Sequence, residues 1–488
     1  MIAARRNAVT DRALYLCMGL AAVVLAGCTV GPDHVPPETS SSSAWHTPLD
    51  GGLTGEPADP NVLASWWTTL GDPQLSGLIE RAVAGNLDLK TATSRIRESR
   101  ARRSVAKGAL FPTLNAAGSA VSSRTDTNVG MDTRGEVYSA NFDAGWELDL
   151  FGGVRRSIEA AEADLQASQE NLRDVLVSLQ AETALNYIEV RTFQTRLAAA
   201  QASLKTQEES YDLTLWRSQA GLDDELAVCQ AQYNLENTRS QIPTLRSGLE
   251  EAMNRLAVLS GESPGSLHTE LEQPQAIPVP PAEIAVGLPA NVVRRRPDVR
   301  RAERELAAQT ARVGVATANL YPQLTLSGSI GVETLSLRDP SSARTWTVSG
   351  GPRISWPLFD PTVRPNIEVQ SALQEQALIA YEAAVLAAIE EVENALVAYA
   401  QEQRRRDSLR RATDAAQAAA EMAQYEYKAG LTDFGNVLDA ERSLLSFQDQ
   451  LHQSDGTVTS NVIRLYKALG GGWASMAAAP AVEAVQQL

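Results

Sequence analysis

The segment YSANFDAGWELDL, residues 138–150, alternates strictly between apolar and polar side chains. Every even-numbered position from Tyr138 to Leu150 is apolar, and every odd-numbered position is polar or glycine. Successive side chains of a β-strand point to opposite faces, so a period of two predicts a strand with one apolar and one polar face. We expect this strand to cover about residues 136–151.

The same alternation predicts strands over about 322–335 and about 344–359, and a weaker pattern predicts another over about 112–124. A tilted strand needs about 9 to 11 residues to cross a bilayer, and each segment is at least that long. The alternative, strands of a soluble sandwich, requires a second sheet to cover the apolar faces, and we find no further strand pattern. Aromatic residues of the kind that concentrate at membrane interfaces occur in these strands: Trp146, Trp346 and Trp356.

Four strands are too few to close a barrel. A filled barrel takes about eight strands, and a barrel with an open lumen takes more. Because unpaired strand edges are not tolerated in lipid, we expect several copies of the chain to complete the sheet. Three copies, giving twelve strands, form the smallest assembly that leaves a channel.

Two long proline-free segments predict long helices. Residues 154–219 place apolar side chains at heptad spacing, and a rise of about 1.5 Å per residue gives a rod of about 95 Å. A similar helix is expected from about residue 366 to residue 428. Each is followed by Ala-Gly-Leu and a further helical pattern, and glycine commonly ends helices. We therefore predict two helical hairpins.

The two turns belong to an internal repeat. SQAGLDDELAVCQAQY, residues 218–233, shares six positions with YKAGLTDFGNVLDAER, residues 427–442. ALFPTL and NLYPQL repeat at nearly the same offset, in the same order along the chain. We divide the chain into two copies with flanking segments, as follows: residues 28–69 as an N-terminal segment, 70–261 as the first copy, 262–284 as a proline-rich linker, 285–471 as the second copy and 472–488 as a C-terminal tail.

The N-terminal sequence predicts secretion and lipidation. Residues 1–27 contain three arginines, an apolar run and a small-residue cleavage site, which are typical of a signal peptide. The run ends in LAGC, which resembles a bacterial lipobox and implies acylation of Cys28. Thr29 follows, rather than the aspartate that favours inner-membrane retention. The alternative is a secreted soluble protein with a chance cysteine.

Composition argues against several other classes of protein. The net charge of −16 disfavours a general nucleic-acid binder. The four histidines are scattered, and we find no Cys-x-x-Cys pair, phosphate-binding loop or nucleophile elbow. We therefore expect neither an enzyme nor a metal or cofactor site.

Cys229 is left as a single cysteine, which we interpret as a small buried apolar residue. A structural coiled-coil lipoprotein of the outer membrane is the alternative to a channel formed by several copies, although it does not explain the alternating strands.

Several motifs in a fixed order resemble the NodT/OprM family of outer-membrane factors, which are relatives of TolC. The resemblance covers nearly the whole mature chain. Its motifs are CTVGPDHVPP (28–37), SWWTTLGDPQLSGLIERAVAGNLDL (65–89), ALFPTL (109–114), RRRPDVRRAE (294–303), LYPQLTLSGSIG (320–331), VLDAER (437–442) and LYKALGGGW (465–473).

This resemblance implies a homotrimer in the outer membrane. Its fold would be a mixed membrane protein: a twelve-stranded β-barrel, four strands per protomer, continued by a long α-helical barrel with an equatorial domain. The implied function is the exit duct of a tripartite efflux pump of resistance-nodulation-division type. The implied partners are a periplasmic adaptor, also called a membrane fusion protein, the inner-membrane pump and outer-membrane lipid. Most of each chain would lie in the periplasm.

The resemblance also implies a gate at the periplasmic end, carried by the second tip. Asp439 and Arg442 match the family's motif, and their spacing of three places them on one helix face. Three symmetry-related carboxylates at a narrow axis repel unless arginines bridge them. An ordinary solvated ion pair is the alternative. Gly435 stands where relatives often carry a bulky apolar residue, so we expect Phe434 to take over part of the closure.

Two further sets of residues are candidates for contact with partners or substrate. Exposed leucines at hairpin ends suit contact with another helical tip, so we expect adaptor docking at Gly221, Leu222, Asp223, Gly430, Leu431 and Thr432. Acidic residues on the polar face of the first copy's second strand are expected to line the lumen and to favour cations: Asp143, Glu147 and Asp149.

Overall fold

The computed structural model describes residues 29–38, 44–125, 133–335 and 344–473. Cys28, the predicted acylation site, therefore lies outside the described residues. The chain divides into two compact units. The first contains the N-terminal segment up to Pro37 with residues 95–169 and 301–382, and the second contains residues 38–94, 170–300 and 383 onward.

The strands of the described residues are β1 (Leu53–Thr54), β2 (Thr113–Thr125), β3 (Thr133–Leu148), β4 (Ile284–Ala285), β5 (Gln323–Thr334) and β6 (Arg344–Ser355). In the first unit, four of them form an antiparallel sheet of order β2-β3-β5-β6. In the second unit, β1 and β4 form a parallel pair.

The helices range from single turns to two helices of 66 and 67 residues. They are α1 (Pro60–Ala64), a 3-10 helix (Trp66–Leu70), α2 (Pro73–Gly85), α3 (Leu87–Gly108), α4 (Gly153–Gln219), α5 (Glu225–Leu259), α6 (His268–Leu271), α7 (Pro289–Arg295), α8 (Pro297–Ala318), α9 (Val363–Lys428) and α10 (Phe434–Ala468). In the described part of the chain, no helix combines the length and the hydropathy needed to span a membrane.

The register of the large sheet separates apolar from polar side chains across all four strands. Phe142 of β3 lies opposite Ala116 and Ile330, and Ile330 lies opposite Val348. The neighbouring row, on the other face, consists of polar residues: Asn115, Asp143, Ser329 and Ser349. The apolar face is uncovered, since Phe142 is 57% exposed and Val348 is 75% exposed.

Two strands end earlier than the alternation predicts, and each end has a local cause. β6 ends at Ser355 and not near residue 359, because its partner strand β5 begins at Gln323, which pairs with Ser355, so later residues have no partner in the ladder. β3 ends at Leu148 and not at residue 151, where the chain turns through Gly152 at a φ of 82°. The alternation of apolar and polar residues continues past both points, but these later residues do not pair with a neighbouring strand.

Proline positions account for the shape of the helix ends. α9 begins at Val363, three residues before the expected start, because Pro365 falls in its first turn, where no intrahelical N–H is required. Pro243 lies inside α5, where it removes one backbone hydrogen bond.

The second unit is built on a large apolar core. Trp66 and Tyr466 stack with ring centroids 5.6 Å apart, and Leu75 and Leu256 are fully buried beside other large side chains. Each such residue contributes about 1.5 to 3 kcal/mol by burial. The linker is attached to this core, since the buried Arg191 donates a hydrogen bond to the carbonyl of Gln273 at 3.1 Å.

The interpretation of Cys229 as a buried residue is wrong, because its thiol is exposed in the described chain. Its neighbours Ala227 and Ala231 take the buried face of α5. Leu438, at the matching position of the second copy, is buried. The two helices therefore present different faces at this position of the repeat.

Candidate functional site at the helical tips

The first turn joins α4 to α5 through a glycine with a left-handed backbone. Gly221 has a φ of 74°, a conformation that only glycine adopts at little cost. The Leu222 N–H donates to the Arg217 carbonyl at 2.9 Å, and the Gly221 N–H donates to Ser218, which is the Schellman pattern. Asp224 then caps α5 by accepting from the Ala227 N–H at 2.9 Å.

The second turn, between α9 and α10, repeats this construction. Gly430 has a φ of 72°, and the Leu431 N–H donates to the Glu426 carbonyl at 2.9 Å. Asp433 caps α10 by accepting from the Asn436 N–H at 3.2 Å. The six positions that the two copies share thus include the glycine that ends one helix and the aspartate that begins the next.

A cluster of three side chains joins the first turn to the second hairpin. Arg217 of α4 forms an ion pair with Asp223 at 2.7 Å, and the hydroxyl group of Tyr427 of α9 donates a hydrogen bond to the same carboxylate. The Arg217 guanidinium also lies 4.6 Å from the centre of the Tyr427 ring. Burial, together with the bond to Asp223, raises the pKa of Tyr427 to about 12.

Sequence reasoning missed this cluster. It treated Asp223 as part of an exposed docking turn, whereas its side chain is 14% exposed and bonded on two sides. A signal was present, because the matching residue of the second copy is Thr432, which cannot form an ion pair. The leucines beside them do project into solvent, Leu222 at 67% and Leu431 at 75% exposure.

Asp439 and Arg442 do not pair with each other within the described chain. Arg442 donates from Nε to Asn234 of α5 at 3.1 Å, and its guanidinium lies 4.8 Å from the centre of the Tyr233 ring. The Asp439 side chain is exposed, and no hydrogen bond or ion pair of its carboxylate is seen among the described residues. The protomer therefore holds the arginine in place and leaves the carboxylate available.

Phe434 lies inside the tip, where it holds α10 against α9, and not on a surface where it narrows an aperture. It is 3% exposed and packs edge-on against Tyr427 with ring centroids 5.5 Å apart. The expectation that it replaces an apolar plug is therefore not met. Gly435 is half-buried, and a side chain added there would first meet Asp433 Oδ1, at 3.1 Å from its Cβ.

The acidic lumen candidates differ in their surroundings. Asp143 and Glu147 lie on the polar face of the sheet, and Asn141 donates a hydrogen bond to Asp143. Asp149 follows the strand and forms an ion pair with Arg155 at 3.2 Å. Arg353 falls in the same cross-strand row as Glu147. The polar face therefore carries charges of both signs.

The segment that follows the predicted acylation site is held by a buried arginine. The Val30 N–H donates to the Phe151 carbonyl at 3.1 Å. Arg156 donates to the carbonyls of Val30 and Gly31 at 3.1 and 3.3 Å and pairs with Asp33 at 2.7 Å. Only 5% of the Arg156 side chain is exposed. We call residues 30–33 with Arg156 the N-terminal seat.

Within the described residues, no cluster of three or more histidine, cysteine, aspartate or glutamate side chains is arranged to hold a metal ion.

Comparisons with known proteins agree with this architecture. The sequence model of the family described as "Outer membrane efflux protein" matches residues 78–262 and 288–471. Nodulation protein T of Rhizobium leguminosarum bv. trifolii is 32% identical over 467 residues, which make up 94% of this chain and 97% of that protein. The cation efflux system protein CusC of Escherichia coli O6:H1 is 28% identical, with coverage of 94% and 98%.

Among solved structures, the outer-membrane channel OprN is similar, with a TM-score of 0.83 and 37% identity over 91% of this chain and all of that one. The resemblance inferred from the motifs is thereby confirmed, and with it the expectation that the chain is a transport protein and not an enzyme. The chain belongs to the outer membrane efflux protein family.

Proposed function

We propose that this chain forms the outer-membrane exit channel of a tripartite efflux pump. The observation that carries the proposal is the four-stranded sheet, whose apolar face is uncovered and whose outer strands, β2 and β6, each have one edge without a partner strand among the described residues. In lipid, such edges must be paired. Further copies of the same chain complete the sheet.

Three copies close a barrel of twelve strands, and the internal repeat specifies how they meet. Thr113 pairs with Gly145, and the same pairing shifted by one repeat is Gln323 with Ser355. Within the chain, Asp143 of β3 pairs with Ser329 of β5. The residue one repeat after Asp143 is Arg353 of β6, and the residue one repeat before Ser329 is Ser119 of β2. Arg353 therefore pairs with Ser119 of the neighbouring copy. β2 and β6 run in opposite directions within the sheet, so this contact is antiparallel like the others.

The helical tips form the gate of the channel. The cluster of Arg217, Asp223 and Tyr427 ties the two hairpins of one protomer together and holds the closed arrangement. At the second tip, the free carboxylate of Asp439 accepts a charge-assisted hydrogen bond from a neighbouring protomer, while Arg442 stays anchored on Asn234.

The exposed leucines of the two turns dock the periplasmic adaptor, and the inner-membrane pump passes substrate into the duct through this contact. Leu222 and Leu431 are apolar, project from rigid Schellman turns and lie at equivalent positions of the two hairpins. A trimer therefore presents six such leucines in a ring.

Acylation of Cys28 anchors the chain to the outer membrane. The N-terminal seat supports this proposal, because Val30 is bonded to Phe151, just beyond the end of β3. The segment that follows the acylated residue is thereby kept close to the end of the strands. A fixed attachment of this kind directs an acyl chain toward lipid beside the sheet.

The proposed function is tested with the full-length protein extracted from outer membranes in mild detergent. We expect trimers that migrate as one species in dodecyl sulfate and dissociate on heating, and discrete conductance steps in planar bilayers. A monomer that extracts without detergent once Cys28 is replaced by serine, and that gives no conductance, would instead identify a structural coiled-coil lipoprotein.

A further inference from the structure

Several polar side chains are buried along the helices above the two turns. They are each at most 5% exposed and come from three helices: Gln207, Thr214, Asn234, Thr238 and Glu441. Three of their oxygen atoms, Gln207 Oε1, Thr238 Oγ1 and Glu441 Oε2, have no hydrogen-bond partner among the described residues. Because these atoms are already buried inside one chain, a neighbouring protomer cannot supply the missing partners.

Glu441 is the ionisable residue among these buried side chains, and its carboxyl group connects three helices. It belongs to α10, between Asp439 and Arg442. Its Oε1 accepts hydrogen bonds from Ser210 of α4 at 2.8 Å and from Gln424 of α9 at 2.9 Å. One side chain thus holds the helix that carries the predicted gate residues against both neighbours.

Among the described residues, no cation forms an ion pair with Glu441. Glu209 and Lys428 line a small cavity of about 50 Å³ with Ser210 and Gln424, but neither bonds to Glu441 among the described residues. On α10 itself, Asp439 and Arg442 are exposed, and Arg442 is held by Asn234. Two phenols, Tyr211 and Tyr427, pack in the apolar cluster of the tip, and the buried side chains that α5 contributes there are uncharged: Ala227, Ala231, Asn234, Leu235 and Thr238.

Burial raises the pKa of Glu441, while the bonds from Gln424 and Ser210 oppose that rise. A carboxyl whose pKa is raised in the packed junction binds its proton more tightly there than after the helices separate. The packed form is therefore most stable at acid pH, and it loses stability as the pH rises from the ordinary glutamate range, about 4.3, through the raised pKa.

We propose that Glu441 is a positioning residue of the gate, whose uncharged carboxyl holds α10 against α4 and α9 and whose ionisation loosens that junction. The inference rests on the proposed gate at the second tip. Its consequence is a channel that closes more firmly as the periplasm becomes acidic and opens more readily as the pH rises.

The test compares conductance against pH for the wild-type trimer and for Glu441→Gln in planar bilayers. We expect the wild-type open fraction to increase with pH above the ordinary glutamate range, and the Glu441→Gln variant to stay closed with no pH response. Glu441→Asp, which keeps an ionisable group, should retain a response with a shifted midpoint. Glu209→Gln, an exposed carboxylate next to Ser210, is the matched control and should follow the wild type.

Heat-dependent migration of the trimer shows that each variant has folded. If the wild-type protein forms no channel, the proposed function fails. If it conducts but Glu441→Gln keeps the wild-type pH response, or Glu209→Gln loses it as well, only the role of Glu441 is overturned. If Glu441→Gln does not assemble, the shifted midpoint of Glu441→Asp supports the proposal and an unchanged midpoint overturns it.

Discussion

Asp223 and Thr432 occupy the same position of the two turns, and the difference between them explains how the hairpins are joined. Asp223 pairs with Arg217 and accepts from Tyr427, whereas threonine cannot carry the charge. Comparing the two copies predicts the turns, because glycine and the capping aspartate recur in both. It does not predict the cluster, because the matching positions of the other copy do not mark Tyr427 and Arg217 as partners of Asp223.

Replacing Tyr427 by phenylalanine should loosen the closed tip. The variant keeps the ring but removes the hydroxyl that donates to Asp223, and a hydrogen bond to a charged group contributes about 1.5 to 3 kcal/mol. We expect an increase of about tenfold in the open fraction of single channels in planar bilayers, since 1.4 kcal/mol corresponds to a factor of about ten.

Tyr425→Phe is the control for this prediction, because Tyr425 lies on the same helix with its side chain 70% exposed. It should conduct as the wild type does. A Tyr427→Phe channel that is as tightly closed as the Tyr425→Phe channel would show that the cluster does not restrain the tip.

Arg156→Gln should release the N-terminal seat without unfolding the sheet. The change removes the ion pair to Asp33 and the hydrogen bonds to the carbonyls of Val30 and Gly31, each of which contributes about 0.5 to 1.5 kcal/mol. Hydrogen–deuterium exchange should become faster in peptides covering residues 29–38. Arg102→Gln, at an exposed i,i+4 pair, should leave that exchange unchanged. Equal exchange in both variants would argue against the seat.

At the scale of helices and strands, patterning in the sequence predicts what each segment becomes better than where it ends. The alternation at residues 138–150 reports the two faces that the register of the sheet then shows. Strand ends depend on whether a partner residue exists in the neighbouring strand, which alternation does not report. Phe434 illustrates a similar limit, because its burial depends on contact with Tyr427 seven residues earlier, across a turn.

Two helix glycines should respond in opposite ways to the same substitution. A Cβ at Gly456 of α10 would lie 2.1 Å from Thr192 Oγ1 of α4, whereas nothing lies within 4 Å of one at Gly77 of α2. Gly456→Ala should destabilise the packed helices by about 1 to 3 kcal/mol through overpacking. Gly77→Ala should stabilise its helix by about 0.5 to 1 kcal/mol.

The midpoint of thermal unfolding in detergent measures both changes. A lower midpoint for Gly456→Ala and a higher one for Gly77→Ala are expected. If Gly456→Ala unfolds at the wild-type temperature, α4 and α10 are not held as closely as the structure shows.

On the scale of the whole molecule, one chain carries two copies of a unit and yet leaves its sheet incomplete. The sequence predicts this, because four alternating segments are recognisable and four strands do not close. In the proposed trimer, the repeat predicts the contact between copies, because the β3–β5 junction inside the chain serves as the template for a β6–β2 junction between chains.

The most direct test of this account is a disulfide between strands of different copies. In a Cys229→Ser background, Ser119→Cys and Arg353→Cys should lie opposite each other across the boundary, within the roughly 4.4 to 6.8 Å between Cα atoms that a disulfide spans. Mild oxidation should give covalent dimers and trimers on a denaturing gel. The pair Ser119→Cys and Ser349→Cys, displaced by four residues, should not cross-link. Monomers alone from the first pair, or equal cross-linking of both, would contradict the closed trimeric barrel.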